Sequence, residues 1–281
     1  MRRISLIAIT ALALFAASCN RDRAENAAPE HADHTTTTAA APASTTTTAA
    51  PAAGTTVQFG NGASGYLSAP ATGGKKPGVI VIQEWWGLDD WVRQQTDRYA
   101  QQGYVALAVD LYRGRSAKSP DEAHELMRGL PEDRAMGDLK AGIDYLSSRP
   151  DVDPQLIGVI GWCMGGGYSL ALATDDPRIK ATVINYGRLI TNQDTIAKLN
   201  SQVLGNFGGA DRGIPAEDVK AFSALLTKMG KLGDIKIYDG AGHAFMNPNN
   251  TQGYDAAAAQ DAQHRIDGFF DRTLRAKIPN S

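Results

Sequence analysis

The stretch Leu156-Ile-Gly-Val-Ile-Gly-Trp-Cys-Met-Gly-Gly-Gly-Tyr-Ser169 leaves the chain few folds to choose from. Leu156–Ile160 is a short apolar run that reads as a strand, and Gly165–Thr174 is a run of small and apolar residues that reads as a helix. Only a few residues separate them, so the backbone must turn sharply, with Gly161 and Gly165 leaving room for neighbouring backbone. A strand covered on both faces that feeds straight into a helix is the repeating unit of a parallel α/β sheet.

The rest of the chain keeps that rhythm from residue 55 onward. Val57–Phe59 and Gly65–Ser68 read as an edge hairpin turned at Gly60-Asn61-Gly62. Gly78–Gln83, Tyr104–Val109, Ile179–Asn185, Gln202–Phe207 and Ile235–Tyr238 read as further strands. Helices are expected over Asp89–Gln102 (stopped by Gly103), Asp121–Arg128, Arg134–Ser148, Ala216–Met229 and Asp255–Leu274, the last with Ile266, Phe269, Phe270 and Leu274 on one face. This alternation predicts a single α/β domain over residues 55–281, a mostly parallel sheet with helices on both faces. Rossmann-like, flavodoxin-like and hydrolase sheets all share the pattern, so function has to come from sites.

The N-terminus stands apart. A basic start, MRRIS, precedes a twelve-residue apolar run, LIAITALALFAA, which is shorter than the roughly 20 residues a membrane-spanning helix needs. Residues 1–19 therefore read as an export signal. Its end, Ala16-Ala-Ser-Cys19, resembles a bacterial lipobox, in which Cys19 would carry the lipid and tether the protein to a membrane. Simple cleavage near Ser18 is the alternative. Residues 20–54 hold two all-threonine tracts, Thr35–Thr38 and Thr45–Thr48, among Ala and Pro. Too few large apolar side chains are present to offset the entropy of ordering, so this segment reads as a tether. His31 and His34 lie there with nothing to pre-organise a metal, and no metal or organic cofactor is expected. The formal net charge is −2, and losing Arg2 and Arg3 with the signal makes it more negative. With no basic stripe or motif, nucleic acid is not expected as a partner.

If Cys19 is lipidated, Cys163 is the one remaining thiol in an exported chain, with no partner for an internal disulfide. It is either a small packing residue or a reactive group. Its position, on a tight bend beyond a strand carboxyl end, is where α/β sheets bind ligands and where hydrolases expose a nucleophile. The helix that begins at the bend favours a thiolate, and the amide of Met164 points at any oxyanion formed by attack at Cys163. A nucleophile of this kind needs an acid and then a histidine, in that chain order. Asp211 follows one predicted strand in LGNFGGADRGIP, and His243 follows the next in YDGAGHAFMN, with Asp239 as a lesser alternative acid. Glu84, at the end of the first parallel strand in VIQEWWGL, is a second carboxylate or simply a polar residue at the sheet edge. Trp85 follows it and is placed in chain order to give a second oxyanion amide. Trp85, Trp86 and Trp91 are expected as pocket walls or core. Tyr112, Arg113 and Arg115, from DLYRGR, end the next strand on the same side, where the arginines face an anionic substrate group or solvent.

QEWWGL, DLYRGR, GVIGWCMGG, the Asp211 loop and AGHAF, in this order, resemble the dienelactone hydrolase family of α/β-hydrolases over essentially all of residues 55–281. The resemblance implies the α/β-hydrolase fold, and a Cys163–Asp211–His243 triad cleaving an ester or lactone through a thioester. It also implies that Glu84 contacts the resting thiol and takes its proton as substrate enters. Well-studied members bind the lactone carboxylate with one arginine just after the DLY strand and another four residues past the histidine. Here Gly114 and Asn247 occupy those points, the former flanked by Arg113 and Arg115, which opens the substrate to other esters. A thioesterase or peptidase on the same triad, and a non-catalytic envelope module using the cleft only to bind, are the competing readings.

Overall fold

The computed structural model describes residues 54–60, 62–71 and 73–275; the export signal, Cys19, the tether up to residue 53 and Asn61 of the expected turn lie outside the described residues. Eight strands form one sheet in the order β1-β2-β4-β3-β5-β6-β7-β8, where β1 is Thr55–Phe59, β2 Ala63–Ser68, β3 Lys76–Ile82, β4 Val105–Val109, β5 Val152–Trp162, β6 Ile179–Asn185, β7 Gln202–Gly208 and β8 Gly233–Tyr238. From β4 to β8 every neighbouring pair is parallel, whereas β1 pairs antiparallel with β2 and β2 antiparallel with β4. The hairpin expected at the edge thus puts only β1 there.

Both faces of the inner strands are buried, which is why β3 to β6 read as apolar runs, whereas the edge strands β1 and β8 alternate and are partly exposed. Along β3, Ile80 and Ile82 belong to one core while Val79 and Val81 belong to the other. The first core is closed by α2 (Pro120–Arg128), α3 (Glu132–Ser148), α4 (Met164–Asp175) and α6 (Ala216–Lys228). The second is closed by α1 (Asp90–Gln101) and α7 (Ala256–Phe270). The chain crosses from β3 through α1 to β4 on one side, then returns past β3 to β5 on the other. The switch of direction lies between β3 and β5, so their carboxyl ends open onto the crevice where an α/β sheet takes ligands.

Local chemistry sets the boundaries. Asp89 caps α1 by accepting from the Val92 amide at 3.0 Å, and Gly103 (φ 91°) ends that helical segment in the left-handed region, as its position predicts. Strand β5 begins at Val152 rather than Leu156, because Lys76 pairs with Val152 across a register shift that the polar Asp153–Gln155 stretch conceals. A five-residue helix, α5 (Gln193–Ala197), has no counterpart in the sequence reading, being too short to show a period; Asn192 caps it and Ile196 buries it. The final helix does not run unbroken to Leu274: α7 gives way to a π-helical turn over Asp271–Arg275, which still delivers Leu274 fully buried.

The closest packing in the fold lies under the bend between β5 and α4. A Cβ on Gly165 would stand 2.4 Å from the carbonyl oxygens of Ile82 and Gln83, which belong to the backbone of β3 and its exit. Neither atom can swing aside as a side-chain tip could. Gly165→Ala is therefore expected to destabilise the domain by about 3 kcal/mol, the upper range for overpacking. A lower urea midpoint with an unchanged denaturant slope is the measurement that checks it.

Candidate active site

Cys163 sits on the bend with φ 54° and ψ −119°, a conformation that L residues rarely hold, immediately before α4. Three contacts pin it there. Its amide donates to the Asn185 carbonyl at 3.0 Å, and its own carbonyl accepts from Gly166 and Gly167 at 3.1 and 3.3 Å. Gly161 is required because a Cβ there would meet the Gly165 carbonyl oxygen at 2.1 Å. Cys163 is half-buried, and Met164 follows as the first residue of α4, whose opening amides lack intrahelical acceptors.

The loops after β7 and β8 bring the other two candidates together. Asp211 is buried, and its Oδ2 lies 2.7 Å from His243 Nδ1. The other oxygen of Asp211 accepts from the Gly213 and Ile214 amides at 2.8 and 3.2 Å, so the carboxylate is fixed before it orients the ring. Burial alone would push the Asp211 carboxyl up, but these donors and the His243 charge outweigh it and hold it below the usual range. Burial disfavours charge on His243, yet its hydrogen bonds to Asp211 and Cys163 and the charges of those groups raise its pKa to about 10. His243 and Cys163 line the same cavities, with Asp211 behind the ring. Asp239, the alternative acid, is exposed.

Glu84 is almost fully buried at the end of β3. One oxygen accepts from the Tyr186 hydroxyl at 3.3 Å and the other from Asn247 Nδ2 at 2.7 Å. Those two donors hold Glu84 beside the cavity that Cys163 also lines. Burial raises its carboxyl to about 7, against the lowering effect of the Asn247 amide. Tyr186 is the residue that sequence reasoning missed. Its backbone is in the left-handed region (φ 39°), and its ring lies 5.4 Å from the His243 ring, edge-on. The signal available was Tyr186-Gly187 at the end of a buried strand: Gly187 has no room for a Cβ, which would meet the Gly166 carbonyl carbon at 2.2 Å.

The remaining candidates divide. Trp85, Trp86 and Asn247 line the cavity of about 860 Å³ that also contains Glu84, Cys163 and His243. The Tyr112 hydroxyl rests 3.5 Å from the Met164 sulfur. Trp91 is not among the residues lining that cavity: it is buried in the core, edge-on to Trp162 at 5.1 Å, and borders only a smaller neighbouring hollow. Arg113 forks onto buried Asp138 of α3, with its Nη2 2.9 Å from Oδ1, because that carboxylate lies beneath it. Arg115 lines a smaller neighbouring hollow with Asp110 and Lys118. Neither arginine is among the residues lining the cavity beside Cys163. Among the described residues no cluster of His, Cys, Asp or Glu has the arrangement of a metal site.

The dienelactone hydrolase family model matches residues 63–274. The chain belongs to the dienelactone hydrolase family. Membership makes it a carboxylic ester hydrolase with the α/β-hydrolase fold that the sheet displays. It is 34% identical over 217 residues to Protein usf of Aquifex pyrophilus, a match covering 75% of this chain and 93% of that one. It is 32% identical over 219 residues to a Methylorubrum extorquens protein named "Putative carboxymethylenebutenolidase", covering 73% of this chain and 75% of the relative. The solved structure of m3DLH superposes with a TM-score of 0.72 at 28% identity, over 79% of this chain and 98% of that one.

The raised Glu84 pKa makes a prediction for this family member. A folded-state pKa of about 7 against an ordinary value of 4.5 means that stability linked to Glu84 is fully present below pH 4.5 and lost as pH rises through 7. Glu84→Gln removes that loss. Relative to the wild type, the variant is expected to gain on the order of 3 kcal/mol between pH 4.5 and pH 8. Urea unfolding of both proteins across that range checks it, and parallel curves would refute it.

Proposed function

We propose that this member is an exported cysteine hydrolase that cleaves an ester or lactone through Cys163, His243 and Asp211 by way of a thioester. The observation that carries the reading is the His243 ring, held by Asp211 at 2.7 Å and lining the same two cavities as Cys163. Cys163 passes its proton to His243 and attacks the carbonyl carbon, forming a tetrahedral oxyanion. The amides of Met164, at the start of α4, and of Trp85, after β3, receive that charge. His243 returns the proton to the departing alkoxide, which leaves as an alcohol, and Cys163 retains the acyl group as a thioester. Water, deprotonated by His243, attacks the thioester; the acid departs and the thiol is restored. Asp211 stays ionised throughout, fixing the ring and supporting its charge.

Glu84 stands beside this path without being one of its proton carriers. Held by Tyr186 and Asn247, it places a carboxyl that is neutral or charged near pH 7 against the same cavity. In the protonated form it leaves the thiolate unopposed. The basic start, the apolar run and Ala16-Ala-Ser-Cys19 support export and a lipid anchor on Cys19.

Cys163→Ala is expected to lower kcat for 4-nitrophenyl acetate by about 10⁴-fold or more while the circular dichroism spectrum is retained. Unchanged turnover would remove the triad. The competing reading, a cleft that only binds, has an inert thiol. An activated Cys163 is expected to alkylate with iodoacetamide well below pH 8, and the mass increase on the intact protein distinguishes the two. For the anchor, labelled palmitate is expected to enter the protein expressed in a bacterium and to be lost in Cys19→Ala; no label in the wild type would remove that assignment.

A further inference from the structure

Cys163 and His243 border two cavities at once, one of about 860 Å³ and one of about 450 Å³. Both are within the usual size of small-molecule sites, roughly 300–1,000 Å³. An ester whose carbonyl lies at Cys163 has two halves to place, and the two cavities differ in chemistry.

The larger cavity has an aromatic wall and a neutral polar rim. Trp85 and Trp86 stand together with ring centroids 5.1 Å apart. Facing them is the loop after His243, where Asn249, Thr251 and Gln252 line the cavity and are exposed. That loop is built rather than loose. Asn250 Nδ2 donates to the His243 carbonyl at 3.1 Å, Tyr254 N–H to the Asn250 carbonyl at 2.8 Å, and Asn249 N–H to Asn247 Oδ1 at 2.9 Å. The lining is mixed in charge rather than built for an anion: Lys118 is the one Lys or Arg among the described lining residues, and His243 the other group that can carry positive charge, against Glu84 and Asp89. The smaller cavity is walled by Met164, Tyr186, Leu189 and Ile214, with Arg188 and Asp218, one of each sign, at its exposed edge.

Amide and hydroxyl side chains both donate and accept, as sugar hydroxyls do, and an indole face attracts the C–H groups that a sugar ring presents on one side. The hydroxyl-rich half of an ester is its alcohol half, which leaves the acyl half for the smaller, apolar cavity. We propose that the substrate is a neutral ester of a sugar or polyol with a short apolar acyl group, the alcohol lying between the tryptophan pair and the Asn249–Gln252 rim and the acyl group beside Ile214. This rests on the hydrolase reading above and names its substrate class. Water and the ester give the free sugar hydroxyl and a short carboxylic acid, with no further reactant.

The test compares kcat/KM for an acetate on the primary hydroxyl of methyl glucoside with that for cyclohexylmethyl acetate, which has the same ring size and no hydroxyls; 4-nitrophenyl acetate is the control for activity. The sugar acetate is expected to be preferred tenfold or more, and octanoate in place of acetate to lower its kcat/KM. In the Thr251→Ala/Gln252→Ala double variant, and separately in Trp86→Ala, the sugar-to-cyclohexyl ratio is expected to fall about tenfold, with the circular dichroism spectrum of each variant reporting its folding. Equal rates on the two acetates in the wild type, a ratio that the variants do not move, or a preference for an ester bearing a carboxylate would overturn the inference while leaving the hydrolase standing. No turnover of 4-nitrophenyl acetate would overturn the hydrolase reading and this inference with it.

Discussion

Asn185 grips the bend at Cys163 from both sides, and the geometry of the whole site depends on that grip. Its backbone carbonyl accepts from the Cys163 amide, and its side-chain amide donates to the Gly161 carbonyl at 3.2 Å. Its side-chain oxygen accepts from Asn206 Nδ2 at 2.8 Å, the Asn206 carbonyl accepts from Tyr186 N–H, and Arg265 of α7 donates to the Asn206 side chain. Asn185 and Asn206 are fully buried, so each unmade bond in this ladder would cost the full desolvation of a polar group. Backbone strain of about 1–3 kcal/mol at a position such as Cys163 persists only where the surroundings over-determine it. The ladder supplies that determination by tying the ends of β5, β6 and β7 to one another and to the last helix.

Once the bend is fixed, two carboxylates close to the same histidine take opposite characters from their surroundings. Asp211 has backbone donors and a cationic partner and is held in its charged form. Glu84 has two neutral donors, a phenol and an amide, and burial that those donors do not offset. Divergent carboxylates of this kind are a recurring way for one site to hold a charge and a proton together at neutral pH. An amide and a phenol are weaker partners for a carboxylate than a cation would be, and Asn247, standing where relatives are expected to carry an arginine, is why Glu84 has no such cation.

The sequence showed the parts of this arrangement that follow from chain order and left out those that follow from packing between distant segments. Cys163, Asp211 and His243 each lie just beyond a strand that the sequence reading placed, so a parallel sheet delivers all three to one edge. Glu84 was placed by the same logic, but its partners were not, because Tyr186 and Asn247 reach it from 102 and 163 residues away. Arg113 looked like an anion-binding residue until α3 supplied Asp138, and nothing in DLYRGR announces that ion pair. Trp91 follows Trp85 and Trp86 closely in the chain, yet it packs on Trp162 at the end of β5 and so belongs to the core rather than to the cleft. The short α5 and the π-helical turn at Asp271–Arg275 carry too few residues for periodicity to register.

Asn247, at a point where the family resemblance implies an arginine, gives the cleft a neutral amide. A carboxylate entering beside Cys163 would face Glu84 without an arginine between them, since Arg113 is engaged by Asp138 and Asn247 donates its amide to Glu84 itself. Lys118 and His243 are the lining groups that can carry positive charge there, against Glu84 and Asp89, so the cavity holds no arginine pair for a carboxylate. What remains to hold a substrate are indole faces and neutral amides, groups that reward shape and hydroxyls rather than charge. Strand ends and the buried ladder position Cys163, Asp211 and His243, whereas the rim from Asn247 to Gln252 is carried by the loop after His243.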